Sequence, residues 1–288
     1  MKSDGRLVDV GGTRLYVEQR GPDGGLPVFV LHGGPGLDHH EFADYLDPLA
    51  DAYRLLLIDQ RAQGRSDRDS DPYTWTLETM ADDVSRLSAM LGIGEYAVLG
   101  HSYGAFVALQ HACDAPGAAL GTIVSNGLPS MRFLEGLDQR LAEFEPADLR
   151  EQVTASWARE ADARTVADFA AIMHDQLPWH FADPRDPRIP EYEERSAGTI
   201  YAPDVLRAFS GDFGGIDLED RLWHVTQPVL VLAGRYDRTC PPEAAEVIAA
   251  GVADGRCLIF EESGHMTFVE EPARYVEEVR AFLDHLPR

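Results

Sequence analysis

Serine, aspartate and histidine, which together can activate a nucleophile, follow three separate apolar runs in that order. Ser102 lies in GHSYG at residues 100–104, Asp237 lies in GRYD, and His265 lies in SGHM. A serine hydroxyl becomes nucleophilic when a histidine accepts its proton, and a carboxylate orients that histidine. The sequence therefore predicts Ser102 as nucleophile, His265 as general base and Asp237 as the orienting acid.

The segment GHSYG has the small flanking residues that a tight turn between a strand and a helix requires. Residues 96–99 are apolar, and a helix is predicted from about residue 105. In this setting Gly100 and Gly104 permit a strained turn that holds the Ser102 hydroxyl above the sheet. The same pattern without a strand before it would be an incidental glycine-rich turn.

Acyl transfer also requires two N–H donors for the oxyanion, and LHGGPGLDHHEF at residues 31–42 offers one of them. Glycines allow the backbone to approach an oxygen without side-chain obstruction, and Pro35 fixes the turn. We predict that the N–H groups of Gly34 and Tyr103 form the oxyanion hole. Gly33 is predicted to contact the substrate beside them.

Two other interpretations of LHGGPGLDHHEF are a phosphate cradle and a metal site. Neither GxGxxG nor GxxxxGK[ST] is present, which argues against the cradle. His39 and His40 are adjacent and cannot share one helical face, and no HExxH spacing occurs. No metal and no cofactor are expected.

Charge and cysteine content restrict the classes of function. Lys and Arg total 25 against 49 Asp and Glu, a net charge of -24, which disfavours binding to nucleic acid or anionic membranes. Three cysteines without a CxxC pair suggest neither a disulfide framework nor a cysteine zinc site. With no signal-like start and no long apolar window, we expect a cytoplasmic protein acting on a small molecule or short peptide. The oligomeric state is left open.

Short apolar runs alternate with helix-length amphipathic segments, which is typical of an α/β fold. Continuous apolar runs indicate parallel strands covered on both faces, and the first strands are expected to form an antiparallel entry. Strands are predicted at 14–19, 27–31, 53–58, 96–99, 122–124, 228–233 and 257–260. Helices are predicted at 77–91, 105–113, 242–251 and 272–286.

The alternation stops between residues 126 and 223, where the sequence is helical in character. Helices are expected there at 133–144, 148–161 and 165–176. We predict a core formed by residues 1–125 and 224–288, with residues 126–223 as a helical cap. Such an insertion would rest on the C-terminal edge of the sheet, where α/β proteins bind ligands.

Several motifs together resemble the proline iminopeptidase family of α/β-hydrolases. They are HGGPG at 32–36, DQRAQGRSD at 59–67, GHSYGAFVAL at 100–109, and the GRYD and SGHMTFVEEP loops. The resemblance implies an α/β-hydrolase fold with a cap, no cofactor, and release of an N-terminal residue, often proline. By position, Ser102, Asp237 and His265 match the family's triad, and Gly34 and Tyr103 match its oxyanion donors.

One position departs from this family. Some members place a glutamate directly after the triad aspartate to hold the substrate's free amino group, but here that residue is Arg238. A cation would repel an ammonium group, and could attract a carboxylate or pair with an acid of the cap. Other members bind the amine through cap glutamates, for which Glu191, Glu193 and Glu194 are candidates; a solvated acidic face is the alternative.

Two further functions remain open at this level. The same triad would serve an esterase, a lactonase or an amide hydrolase acting on a non-peptide molecule, such as an aminoacylated natural-product intermediate. A non-catalytic ligand receptor on the same fold can also retain a triad. Activity with free and blocked amino groups would separate these possibilities.

Overall fold

A single mixed sheet forms the centre of the computed structural model, which describes residues 5–211 and 214–287. The strand order is β1-β2-β4-β3-β5-β6-β7-β8. The strands are β1 Arg6–Asp9, β2 Arg14–Arg20, β3 Leu26–Leu31, β4 Tyr53–Asp59, β5 Ala97–His101, β6 Gly121–Ser125, β7 Val229–Gly234 and β8 Gly255–Phe260.

The first two strands enter the sheet antiparallel, as the sequence predicts. β1 pairs with β2 and β2 with β4 in antiparallel register, and the other neighbouring strands are parallel. Every predicted strand is present, with ends that differ by at most two residues. β1 was not predicted because none of its four residues is buried, so no apolar run marks it.

Helices flank the sheet and fill the long connection between β6 and β7. The α-helices are α1 Leu77–Leu91, α2 Tyr103–Asp114, α3 Leu137–Ala142, α4 Ala147–Arg159, α5 Val166–His180, α6 Arg188–Arg195, α7 Pro203–Phe209, α8 Pro242–Gly251, α9 Thr267–Glu270 and α10 Pro272–Asp284. Short 3-10 helices lie at His39–Phe42, Asp47–Asp51, Pro72–Thr74, Met131–Leu134, Glu160–Asp162 and Glu219–His224.

Both faces of the sheet are buried, which explains the continuous apolar runs. In β3, Phe29 and Leu31 pack into the hydrophobic cluster that includes α1, α2 and α8. Val28 and Val30 pack into the opposite cluster, together with α10. Because successive side chains of a strand point to opposite faces, a strand covered on both sides must be apolar at every position.

The residues between β6 and β7 contain α3 to α7 and pack partly on themselves. Trp179, at the end of α5, is fully buried, with ring centroids 5.5 Å from Phe144 and 6.2 Å from Trp157. Its indole N–H donates to Thr239 Oγ1 at 2.9 Å, which ties α5 to the loop after β7. The predicted helix at 165–176 begins at its Thr165 cap and extends to His180.

Within the described ranges we find no helix with the length and apolar character needed to span a membrane.

A buried group of charges joins β2, the end of β4 and the segment after β3. His39 Nδ1 lies 2.5 Å from Asp59 Oδ1, and its Nε2 lies 3.3 Å from Glu18 Oε2. The other oxygen of Asp59 accepts the N–H of Arg65 at 2.8 Å. Burial alone would lower the pKa of His39, but the two carboxylates outweigh it and raise the pKa to about 9. His39 is thus a cation that joins these three segments.

The stabilisation by His39 should depend on pH. Because its folded-state pKa is raised from 6.5, the contribution is fully present below about pH 6.5 and is lost as pH rises through about 9. We expect His39→Gln to cost roughly 2 kcal/mol near pH 6 and much less at pH 10. Denaturant unfolding at both pH values measures this, with the exposed His285→Gln as control. An equal loss at both pH values would contradict the charged state of His39.

Candidate active site

Ser102 occupies a strained turn between a strand and a helix. β5 ends at His101 and α2 begins at Tyr103, and between them Ser102 has φ 52° and ψ -119°. A Cβ on Gly100 would lie only 2.0 Å from the carbonyl oxygen of Gly104, so no side chain fits at that position. This geometry matches the nucleophile turn that GxSxG predicts.

Asp237 and His265 come together at the ends of β7 and β8. Asp237 Oδ2 lies 2.7 Å from His265 Nδ1, and both residues are buried. Asp237 Oδ1 accepts the backbone N–H groups of Thr239 at 2.9 Å and Cys240 at 2.8 Å. Although burial would raise the pKa of Asp237, the charge of His265 and these hydrogen bonds lower it. The carboxylate assigns the Nδ1 proton to His265, which leaves Nε2 as the acceptor.

His265 is one of three neighbouring imidazoles. The ring centroid of His101 is 5.0 Å away and that of His180 is 5.1 Å away. Burial lowers the pKa of His180 to about 3 and that of His101 well below its usual value. Burial acts on His265 in the same direction, but Asp237 outweighs it and raises its pKa. His265 is therefore the member of this group that accepts a proton.

Asn126, directly after β6, holds the oxygen of Asp237 that faces His265. Its Nδ2 donates to Asp237 Oδ2 at 2.9 Å, and its Oδ1 accepts from Thr267 Oγ1 at 2.8 Å. Its φ of 52° is unusual for a residue other than glycine, although asparagine tolerates it best. Sequence reasoning missed Asn126; the available signal was a polar residue at the C-terminal end of a buried strand.

The loop after β3 presents its backbone amides in different directions. Gly33 N–H donates to Glu41 Oε2 at 2.5 Å, and Gly36 N–H donates to Gln63 Oε1 at 2.6 Å. Gly34 has φ 114°, and its N–H reaches no acceptor among the residues that the structure describes. The substrate contact expected at Gly33 stays a prediction, and it cannot use the N–H that Glu41 accepts.

One cavity brings these groups together. Ser102, His265, Gly34 and Pro35 border it, beneath the inserted helices. Most of the remaining wall is apolar and includes Leu37, Phe106, Leu128, Trp157, Phe169 and Met173. As the first residue of α2, Tyr103 places its N–H at the helix end that faces Ser102.

Two buried glutamates also border this cavity, and sequence reasoning singled out neither. Burial raises the pKa of Glu41 and that of Glu160 to about 7. Glu160 Oε1 accepts from Gln176 Nε2 at 2.7 Å. No lysine or arginine borders the cavity within the described part of the chain. Glu41 lies inside the motif already examined for its histidines, whereas Glu160 lies in no motif.

The predicted glutamates of the cap lie elsewhere. Glu191 and Glu194 are exposed, and Glu191 pairs with Arg195 at 3.1 Å. Neither borders the cavity that contains Ser102. The structure does not bring these two predicted residues to this cavity: both lie on the exposed face of α6.

Arg238 braces the end of α5 and does not border the cavity. Its guanidinium donates to the carbonyl oxygens of Trp179 at 3.1 Å, Phe181 at 2.7 Å and Ala182 at 3.1 Å. It also lies 5.2 Å above the Phe144 ring. The structure does not bring Arg238 to the cavity that contains Ser102, and its hydrogen bonds go to backbone carbonyls at the end of α5.

The fold and this site define a hydrolase, and the chain belongs to the α/β-hydrolase fold family, whose model matches residues 27–272. Its similarity to proline iminopeptidases is confirmed by their sequences. The enzyme of Heyndrickxia coagulans is 28% identical across 97% of this chain and 98% of its own length. The enzyme of Saccharolobus solfataricus is 29% identical across 90% of this chain and 85% of its own length. The crystal structure of the Mycobacterium smegmatis proline iminopeptidase is 27% identical with a TM-score of 0.76, covering 98% of both chains.

Replacing Asn126 should lower turnover through Asp237. Loss of one hydrogen bond to a charged group, about 1.5–3 kcal/mol, predicts a fall in kcat of roughly tenfold or more. Asn126→Gly and Asn126→Ala both remove the amide, but only alanine also strains the backbone at φ 52°. Hydrolysis of 4-nitrophenyl butyrate should fall in both variants, and thermal stability more in the alanine variant. A normal kcat in Asn126→Gly would contradict the role.

Replacing Arg238 should destabilise the protein. Arg238→Met keeps the stem near Phe144 but leaves three carbonyl oxygens without their donor, and each unsatisfied buried group costs about 1–3 kcal/mol. We expect Tm to fall by several degrees, and differential scanning calorimetry measures this. Arg235→Met is the control, because it breaks only an exposed pair with Glu261. An unchanged Tm for Arg238→Met would contradict the bracing role.

Proposed function

We propose that the protein is a serine hydrolase that releases an N-terminal amino acid, proline or another small residue, from a short peptide or amide. The observation that supports this most directly is that His265, paired with Asp237, borders the same cavity as Ser102 in its strained turn. The similarity to enzymes named proline iminopeptidase supports the class of substrate.

The proposed reaction has two halves. Ser102 Oγ attacks the substrate carbonyl while His265 Nε2 accepts the hydroxyl proton, and His265 then gives that proton to the leaving amine as the C–N bond breaks. Water next attacks the acyl-enzyme with His265 as base, and the ester bond to Ser102 breaks to release the amino acid. Asp237 stabilises the imidazolium in both halves.

The negative charge on the reacting oxygen requires donors already in place. Gly34 N–H is the proposed donor from the loop after β3, supported by its lack of another acceptor in the described residues. Tyr103 N–H is the proposed second donor, at the positive end of the α2 dipole. Donors of this type typically contribute about 3–4 kcal/mol each to the transition state.

The apolar cavity wall favours one alternative substrate class. Leu128, Phe169 and Met173 would accept the acyl chain of a simple ester or of a non-peptide amide equally well. A simple ester has no free amino group, so dependence on that group distinguishes it from a substrate with an N-terminal amino acid.

The test compares L-prolyl and L-alanyl 4-nitroanilide with their N-acetyl forms and with 4-nitrophenyl butyrate. We expect the free-amine anilides to be cleaved and the acetylated forms to be poor substrates. Ser102→Ala should lower kcat by roughly 10³-fold or more. Circular dichroism confirms folding, and a fluorophosphonate should label the wild type at Ser102 only. Equal rates with free and acetylated amines would reject the aminopeptidase function, and full activity of Ser102→Ala would reject the mechanism.

A further inference from the structure

Glu41 and Ser102 border the same point of the loop after β3. A Cβ on Gly33 would lie 2.6 Å from Glu41 Oε1 and 3.1 Å from Ser102 Cβ. Glu41 Oε2 accepts the Gly33 N–H, which leaves Oε1 beside the nucleophile without a hydrogen bond to the described residues. The carboxyl group is therefore next to the position where the acyl group must lie.

The cavity has no fixed cation to balance this carboxyl group. Glu41 is only 5% exposed, and the basic side chains that border the cavity in the described chain are His180 and His265. His180 remains neutral because burial lowers its pKa, and His265 is paired with Asp237. A buried carboxylate requires a partner charge or becomes protonated. Burial raises the pKa of Glu41 to about 7, and the opposing effects of the Gly33 N–H and of His265 are too small to offset it.

A cation that pairs with Glu41 would lie where the α-ammonium group of a substrate's N-terminal residue is expected. The α-ammonium nitrogen is two covalent bonds from the carbonyl carbon, which must approach Ser102 Oγ to about 3 Å for attack. A carboxylate that binds this nitrogen must therefore lie next to Ser102. Glu41 adjoins it, whereas Glu160 is held by Gln176 on the cap side of the cavity.

We propose that Glu41 is a specificity-determining residue that binds the free α-ammonium group of the substrate's N-terminal residue. This inference rests on the proposed function. It assigns amine recognition to the loop of the core that also carries Gly34, and to neither Arg238 nor the exposed glutamates of α6. The alternative role for Glu41 is purely structural, as the acceptor that holds Gly33 in place.

Glu41→Gln separates the two roles, because glutamine keeps an acceptor for Gly33 N–H and loses the charge. The probes are L-prolinamide and cyclopentanecarboxamide, which share ring size and amide and differ in the ring amine. Each is measured as a competitive inhibitor of 4-nitrophenyl butyrate hydrolysis at pH 8, above the pKa of Glu41. In the wild type we expect prolinamide to bind at least tenfold more tightly than cyclopentanecarboxamide.

In Glu41→Gln we expect prolinamide to lose that tenfold advantage, with ester kcat and cyclopentanecarboxamide affinity within about threefold of wild type. Glu191→Gln, an exposed carboxylate on α6, is the matched control and should retain the wild-type preference. If ester turnover is too slow, calorimetric titration of both amides into Ser102→Ala gives the same comparison.

Three outcomes would overturn the proposal. One is an unchanged preference for prolinamide in Glu41→Gln. Another is an equal loss of both inhibitors together with ester kcat, which would assign Glu41 to holding the loop. The third is loss of the preference in Glu160→Gln alone. If Glu41→Gln loses the preference but the wild type cleaves no aminoacyl anilide, amine binding by Glu41 stands and peptide release fails.

Discussion

Direct backbone contact between the turn at Ser102 and the end of β3 is the constraint on which the candidate site depends. A Cβ on Gly104 would lie 2.2 Å from the carbonyl oxygen of Leu31, so α2 starts closer to β3 than any side chain permits. The contact supports the unfavourable φ of Ser102 and sets the N-terminal end of α2 against the loop that contains Gly34. The contact of Gly104 with Leu31 thus accounts both for the strained backbone of Ser102 and for the placement of the proposed oxyanion donors.

Asp237 and His265 are brought together in the same way, at the ends of β7 and β8. A Cβ on Gly234 would lie 1.8 Å from the carbonyl oxygen of Gly264, so the two loops touch through their backbones. Asp237 and His265 follow these glycines and can pair at 2.7 Å. Gly234 and Gly264 therefore allow the two loops to approach through their backbones. The polar side chains that follow them can then make contact.

The sheet, its antiparallel entry and the order of the three polar residues could be predicted because each leaves a local pattern. Buried strands are continuously apolar, and polar residues stand where those strands end. Asn126 also stands where a buried strand ends, but that position does not reveal its role, since its partner Asp237 is more than a hundred residues away and the contact exists only in the folded sheet. Glu160 was missed because the helical segment between β6 and β7 has no regular spacing of apolar residues that would show which side faces the cavity. The acidic run 191–194 is ambiguous for the same reason, because an exposed helix face also carries charges.

Arg238 connects the departure from the family pattern to the way the helices between β6 and β7 are held. Its three hydrogen bonds to carbonyl oxygens join the loop after Asp237 to the end of α5. A carboxylate at this position would repel those carbonyl oxygens and leave them without donors. A glutamate that binds an ammonium group therefore could not form this link between the loop and α5. An acid that binds the substrate's ammonium group must then come from another residue of the cavity wall. Glu41 can be neutral while the cavity is empty and ionised when a cation enters, so the cost of burying its charge arises only when a partner is present to offset it.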